Sequence, residues 1–253
     1  MADQADLFSV SGRVACVTGA SSGLGRQIAT VLANAGAQVV GLARRAEALE
    51  AWCTQAGGRT VAIAADLADP NTMTDIAARA SEPFGPPEIL VNAAGINTRQ
   101  PADEVTPEAW RMTLNLNLST PFFLAKALVP AMCDRGWGRI INFASLQTTR
   151  AFPDGIAYGA SKGGVGQLTR AMAEAWSRHG ITANALAPGF FPTELTEPVF
   201  SDPDLAEKNA AQTCIGRNGE LSDLTGPALF LCSPASDYVT GQILHVDGGF
   251  TAK

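Results

Sequence analysis

Residues 14–25 read VACVTGASSGLG, and the fold follows from how that stretch is parsed. Val14 to Thr18 is a short apolar run without polar alternation, as expected of a strand covered on both faces. Ile28, Val31 and Leu32 then recur at helical spacing, so the glycine/serine segment between them is a strand-to-helix loop. Such a loop aims the unpaired N–H groups and the positive dipole end of the helix at whatever lies beyond the strand, which suits a pyrophosphate. Gly19, Ser21, Ser22, Gly23, Leu24 and Gly25 are therefore candidate cofactor-binding residues. The glycine spacing is Gly-x-x-x-Gly-x-Gly rather than the Gly-x-Gly-x-x-Gly of most dinucleotide folds. A glycine-rich turn with no ligand would produce the same letters.

The unit repeats along the chain. Gln38 to Ala43, Thr60 to Ala64, Ile89 to Asn92, Arg139 to Phe143, Ile181 to Ala187 and Gln242 to Val246 are further strand candidates. Helical stretches lie between them, among them Ala46 to Ala56, Asn71 to Ser81, Thr106 to Met132 and Ile156 to His179. This alternation predicts an α/β fold: a single doubly wound Rossmann-type domain over residues 1–253, with a parallel sheet of about seven strands and helices on both faces. Residues 188–215 hold Pro192, Pro198 and Pro203 and show no clean period, so they read as an irregular region, either a substrate loop or a surface excursion.

The chain has 253 residues, 46% hydrophobic and 17% charged, enough to bury a sizeable core without metal or disulfide support. Its net charge of -6 disfavours nucleic acid as a partner. Met1 to Asp6 are acidic and polar, and no run is expected to reach bilayer-spanning length, so the sequence is read as a soluble cytoplasmic protein without membrane contact. Cys16, Cys53, Cys133, Cys214 and Cys232 are scattered and expected to be reduced, and His179 and His245 have no ligand pattern around them, so no metal is expected.

A second set of residues points to proton transfer. Tyr158 and Lys162 are four apart in a helical stretch and share a face, and Ser145 follows the fifth strand closely enough to reach it. A tyrosine with a reference pKa of ~10 is a poor base at neutral pH. An ammonium ~4 Å away at an effective dielectric of ~20 contributes about 4 kcal/mol, which would lower that value by roughly three units. A surface Tyr/Lys pair is the plain alternative, but here it follows Asn92-Ala93-Ala94-Gly95 after the fourth strand and a complete nucleotide-binding half.

With these pieces together the chain resembles a classical short-chain dehydrogenase/reductase over nearly its whole length, through Thr18 to Gly25, Asn92 to Gly95, Ser145, Tyr158-x-x-x-Lys162, and Pro188-Gly189 followed by Thr193. The resemblance implies an NAD(P)-dependent oxidoreductase in which Tyr158 is the general acid/base, Lys162 binds the nicotinamide ribose and tunes Tyr158, and Ser145 steadies the substrate oxygen. It implies an Asn that relays protons to the lysine; Asn117, seven after Trp110, has the family spacing, and Asn115 is also available. It places Asp66 at the adenine with Leu67 beside it, Asn92, Ala93, Gly95, Pro188 and Gly189 along the cofactor, Thr193 at the carboxamide, and a closing loop after Thr193. NADP(H) is expected over NAD(H), because Ala43 stands where an NAD enzyme carries an acid, and Arg44 follows it, with Arg45 next. The plain alternative is that those arginines simply begin a surface helix.

The substrate is expected to be a small alcohol or ketone. Gly95 to Arg99 and Ala144 to Gln147 are similar to gluconate 5-dehydrogenase-like members, so Arg99 and Gln147 are candidate sugar-acid contacts, although a lone arginine is more commonly a solvated loop cation. A 3-oxoacyl or other ketone reductase is the alternative, for which Phe152, Phe190, Phe191 and Phe200 would suit an apolar pocket. A nucleotide sensor without turnover is the more distant one. The resemblance also implies a homotetramer built on the two long helices.

Overall fold

A computed structural model describes residues 7–253; Met1 to Asp6, read above for their charge, lie outside the described residues. The strands are β1 (Val14–Thr18), β2 (Gln38–Ala43), β3 (Thr60–Ala64), β4 (Ile89–Asn92), β5 (Gly138–Phe143), β6 (Ile181–Pro188) and β7 (Ile243–Val246). They form one sheet in the order β3-β2-β1-β4-β5-β6-β7. Every neighbouring pair is parallel. The order reverses between β1 and β4, which leaves a crevice at their carboxyl ends.

Alternation along the strands sorts the core into two layers. Ala15, Val17, Ile89 and Val91 face a cluster with Ile28 and Leu32 of α1 (Gly23–Asn34), Leu49 and Trp52 of α2 (Ala46–Ala56), and Leu231 of α9 (Thr225–Cys232). Cys16 and Leu90 face the opposite cluster, with Ile76 of α3 (Met73–Ser81), Leu124 and Leu128 of α5 (Thr120–Arg135), and Met172 of α6 (Ile156–Trp176). Both faces are therefore covered, which is why the strands read as unbroken apolar runs. All five cysteines are free.

Three departures from the sequence reading have physical causes. The stretch from Thr106 is not one regular helix: α4 (Pro107–Leu114) passes into α5 through a π-helical turn at Asn115–Ser119. That continuous stretch, Pro107–Arg135, is long and apolar enough to cross a membrane, contrary to the expectation that no run would be. Its apolar side chains Leu124, Ala125, Leu128 and Met132 are core residues here. Finally, the expected irregular segment contains α7 (Glu197–Phe200) and α8 (Pro203–Gln212). Pro198 and Pro203 sit in the first turns of those helices, where a proline costs no hydrogen bond, so they start helices instead of breaking them.

The packing of α2 on β2 depends on the missing side chain of Gly41. A Cβ there would stand 2.7 Å from Cζ3 of the buried Trp52 and 3.1 Å from Cβ of Ala20. Gly41→Ala is expected to destabilise the protein by about 1–3 kcal/mol in urea unfolding through overpacking. In a double-mutant cycle with Trp52→Leu the two costs should be less than additive, because the second change removes the obstruction created by the first.

Candidate active site

The crevice at the β1/β4 reversal opens into a cavity of about 690 Å³. Its floor is the loop between β1 and α1. Thr18 fixes that floor: its hydroxyl accepts from the N–H groups of Ala93 and Ala94, both at 3.0 Å, and so ties the end of β1 to the exit of β4. A Cβ on Gly19, which has φ of +71°, would lie 3.0 Å from the Ala94 backbone, and one on Gly25 would lie 2.5 Å from the Gly19 carbonyl oxygen. The glycines thus create a bare backbone cradle at the start of α1, with the first helical N–H groups beside it. This fits a pyrophosphate.

At the β2 end the cavity is lined by Ala43, Arg44, Arg45, Asp66 and Leu67. Arg44 is exposed on this wall. Arg45 points toward the loop after β6: its Nη1 and Nη2 donate to Oε1 and Oε2 of Glu194, each at 2.9 Å, and Nη2 also donates to Ser22 Oγ at 2.7 Å and Ser21 Oγ at 3.3 Å. Ser22 Oγ donates to Glu194 Oε2 at 3.1 Å. The Arg45 hydrogen bond, reinforced by Ser22, holds the Glu194 carboxyl below its ordinary range.

The residues expected to transfer protons meet at the other end. Ser145 leaves β5 at a short turn, where its hydroxyl accepts from Gln147 N at 3.1 Å while Thr148 Oγ1 accepts from Ser145 N, so its position is locked from both sides. Tyr158 and Lys162 lie one turn apart on α6, and both line the cavity. Lys162 Nζ donates to the Phe143 carbonyl at 2.6 Å and lies 5.6 Å from the centre of the Tyr158 ring. Burial pulls the Lys162 ammonium down to about 8. The expected lowering of Tyr158 by that ammonium is not what this site shows. Burial raises the phenol above its ordinary value, and the lowering influences are its hydrogen bond with Ser145 and the charge of Arg99.

Asn117 rather than Asn115 is the buried residue of the π-helical turn. Its Nδ2 donates to the Ile96 carbonyl at 2.9 Å and to Ser161 Oγ at 3.0 Å, and its Oδ1 accepts from Ile96 N at 2.9 Å. These bonds pin the loop after β4 against α6 beside Lys162.

Of the residues that the sequence assigns to cofactor binding, catalysis and sugar-acid contact, all but Asn92 and Asn117 line the cavity. Asn92 is a sheet residue instead, donating from Nδ2 to Asn142 Oδ1 at 2.9 Å. Arg99 takes a left-handed backbone, φ +49°, and its Nη2 donates to the Leu195 carbonyl at 2.9 Å. Gln147 lines the cavity with a buried Oε1 that has no hydrogen-bond partner. Phe152, Phe190 and Phe191 are on the wall, whereas Phe200 is not. Sequence reasoning missed Glu194 and the part played by Arg45, since two residues 149 positions apart leave no local pattern.

Comparison with known proteins agrees with this geometry. Residues 19–251 match the family model described as enoyl-(acyl carrier protein) reductase. The chain is 41% identical to gluconate 5-dehydrogenase of Gluconobacter oxydans (strain 621H) over 253 residues, 98% of each chain. It is 42% identical to a galactitol 2-dehydrogenase (L-tagatose-forming) of Cereibacter sphaeroides over 252 residues, covering 98% of this chain and 99% of that one. The crystal structure of a gluconate 5-dehydrogenase from Burkholderia cenocepacia J2315, in complex with NADP and tartrate, superposes with a TM-score of 0.92 at 38% identity, covering 98% of both chains.

The buried lysine allows a test without cofactor. Its folded value of about 8 is below its ordinary 10.5, so between those pH values the unfolded chain holds a proton that the folded chain has lost, and stability rises with pH across that window. The full difference corresponds to about 3 kcal/mol. Urea unfolding of wild type and Lys162→Met should therefore show the wild type gaining on the variant by that order from below pH 8 to above pH 10.5. A pH-independent difference between the two proteins would overturn the burial penalty on Lys162.

Proposed function

Because the chain belongs to the short-chain dehydrogenase/reductase family, we propose that its four residues Ser145, Tyr158, Lys162 and Asn117 form the catalytic set of a sugar-acid dehydrogenase that prefers NADP(H). At the level of the family it is an NAD(P)-dependent oxidoreductase interconverting a secondary alcohol and a ketone. The observation that carries the reading of the site is that Tyr158 and Lys162 line the same cavity as the bare phosphate-binding loop, at its opposite end from Arg44 and Asp66.

The bound nicotinamide supplies or accepts the hydride. Tyr158 moves the proton at its phenolic oxygen, taking it from the alcohol in oxidation and giving it to the carbonyl oxygen in reduction. Ser145, locked at the turn after β5, holds the substrate oxygen and stabilises charge developing there. Lys162 anchors the ribose and passes the proton onward. Asn117, its side chain committed to Ile96 and Ser161, fixes the loop after β4 beside Lys162.

Two features favour a polyhydroxy acid. Gln147 supplies a polar side chain to the cavity wall, suited to a substrate hydroxyl. Arg99 places positive charge on the cavity wall, close enough to be felt by Tyr158. The gluconate 5-dehydrogenase of B. cenocepacia, with its NADP and tartrate, is in line with both. Phe152, Phe190 and Phe191 give the wall an apolar portion that would serve the alternative, a reductase of 3-oxoacyl or other ketones.

We further infer a homotetramer, supported by the exposed Met112, Phe123 and Ile156 on α4, α5 and α6, and a cytoplasmic location, where five free cysteines stay reduced.

Turnover with sugar acids, polyols and 3-oxoacyl thioesters in the wild type and in Tyr158→Phe tests the chemistry. Activity on a sugar acid is expected, and the variant should lose orders of magnitude in kcat with cofactor affinity nearly unchanged, since only the hydroxyl is removed. Near-normal turnover of the variant would refute the role of Tyr158, and preference for the thioester would move the alternative ahead.

Cofactor choice is tested separately by kcat/KM for NADP(H) and NAD(H) in wild type and Arg44→Ala. A charge-assisted bond to the 2′-phosphate of about 1.5–3 kcal/mol gives roughly a ten- to hundredfold preference, reduced by solvent at this exposed position. A wild-type preference for NAD(H) refutes the cofactor assignment, and an unchanged preference in the variant refutes only the role of Arg44.

A further inference from the structure

The cavity has a bridge across it that the reaction does not require. Arg45 stands at the start of α2, on the β2 wall, whereas Glu194 follows Thr193 on the loop after β6. In the sheet β2 and β6 are separated by β1, β4 and β5, so the ion pair joins opposite banks. It crosses above the phosphate loop, because Ser21 and Ser22 take part in it and because the Thr193 side chain lies 3.3 Å from where a Gly23 Cβ would be. The next residue is fastened to a third element: the Leu195 carbonyl accepts from Arg99 on the loop after β4.

A dinucleotide reaching from Arg44 and Asp66 to Tyr158 and Lys162 would be held at its pyrophosphate by the bare loop, beside which the bridge lies. We propose that Arg45, Ser22 and Glu194 form an ionic clasp that closes the cleft over the pyrophosphate and has to open for cofactor to enter or leave. The inference rests on the reading of the cleft as a dinucleotide site. Arg45 acts here as a positioning residue through Glu194, and its guanidinium is not the ligand of the 2′-phosphate. Its bidentate geometry orients the two side chains, while their exposure keeps the pair weak enough to open on each turnover. The clasp is therefore indifferent to whether the adenosine ribose carries a phosphate, unlike Arg44.

Stopped-flow release of bound NADPH and NADH from wild type, Glu194→Gln, Arg45→Met and the double variant reads this directly, together with hydrogen exchange of residues 193–200 in the cofactor-free proteins. Glu194→Gln is expected to speed release of both reduced cofactors by a similar factor, roughly fivefold, the equivalent of about 1 kcal/mol for an exposed pair. The double variant should release no faster than either single one, added salt should speed the wild type toward the variants, and exchange in 193–200 should rise in all three variants. Selective loss of NADPH in Arg45→Met would make Arg45 a phosphate ligand and overturn the clasp, as would unchanged release in Glu194→Gln or additive effects in the double variant. Failure of the wild type to bind either dinucleotide would instead overturn the cofactor reading on which the clasp stands.

Discussion

The contact on which the rest of this structure depends is the approach of two backbones, the phosphate loop and the exit of β4, to a separation that leaves no room for a side chain. Thr18 draws them together by accepting from Ala93 and Ala94, and a Cβ on Gly19 would press on the Ala94 backbone at 3.0 Å. Because β1 and β4 are the strands at which the sheet order reverses, this pairing sets the width of the crevice. It also sets where the β4 loop continues, through Gly95 and Ile96 to the side chain of Asn117. A single constraint at the cofactor loop is thereby transmitted to the residue that packs beside Lys162.

The helix α6, which carries Tyr158 and Lys162, is held by a different device. Asn92 donates to Asn142, Asn142 donates to Thr169, and Thr169 donates to the Val165 carbonyl, so a buried polar chain runs from β4 through β5 into α6. Buried amides are costly unless paired, and pairing them in sequence fixes the registry of the elements that carry them. Tyr158 and Lys162 sit on the same helix nearer its start. Their placement relative to the strand ends is in this way decided by side chains that never touch the cavity.

How much of this was legible in the sequence depended on range. The five inner strands were legible because both their faces are buried, and the ends of all seven fell within a residue or two of those observed. Tyr158 and Lys162 were legible because helical spacing places them on one face. Asn92 matched a cofactor motif yet spends its side chain on Asn142, since a motif records which residues occur together and not what each one bonds. The prolines of 188–215 were read as breakers because the sequence shows their lack of an N–H but not whether that N–H would have been free at the first turn of a helix. The π-helical turn at Asn115–Ser119 changes the register of a helix without changing its composition, and the partnership of Arg45 with Glu194 is purely tertiary.

Tyr158 and Lys162 also show why spacing alone misjudged the electrostatics. Treating the pair as an ammonium beside a phenol assumes that the ammonium is charged, yet burial disfavours the charged form of each: it raises the phenol and lowers the lysine to about 8. With a value of about 8, Lys162 is still mainly protonated at neutral pH though less firmly than an exposed lysine, and the charge that lowers Tyr158 against its burial is that of Arg99. Negative charge arriving at the phosphate loop favours the ammonium form of Lys162, and a fully charged Lys162 in turn favours the phenolate of Tyr158. The acid/base strength expected of the pair would therefore depend on the charge held in the cleft as well as on the spacing of the two residues.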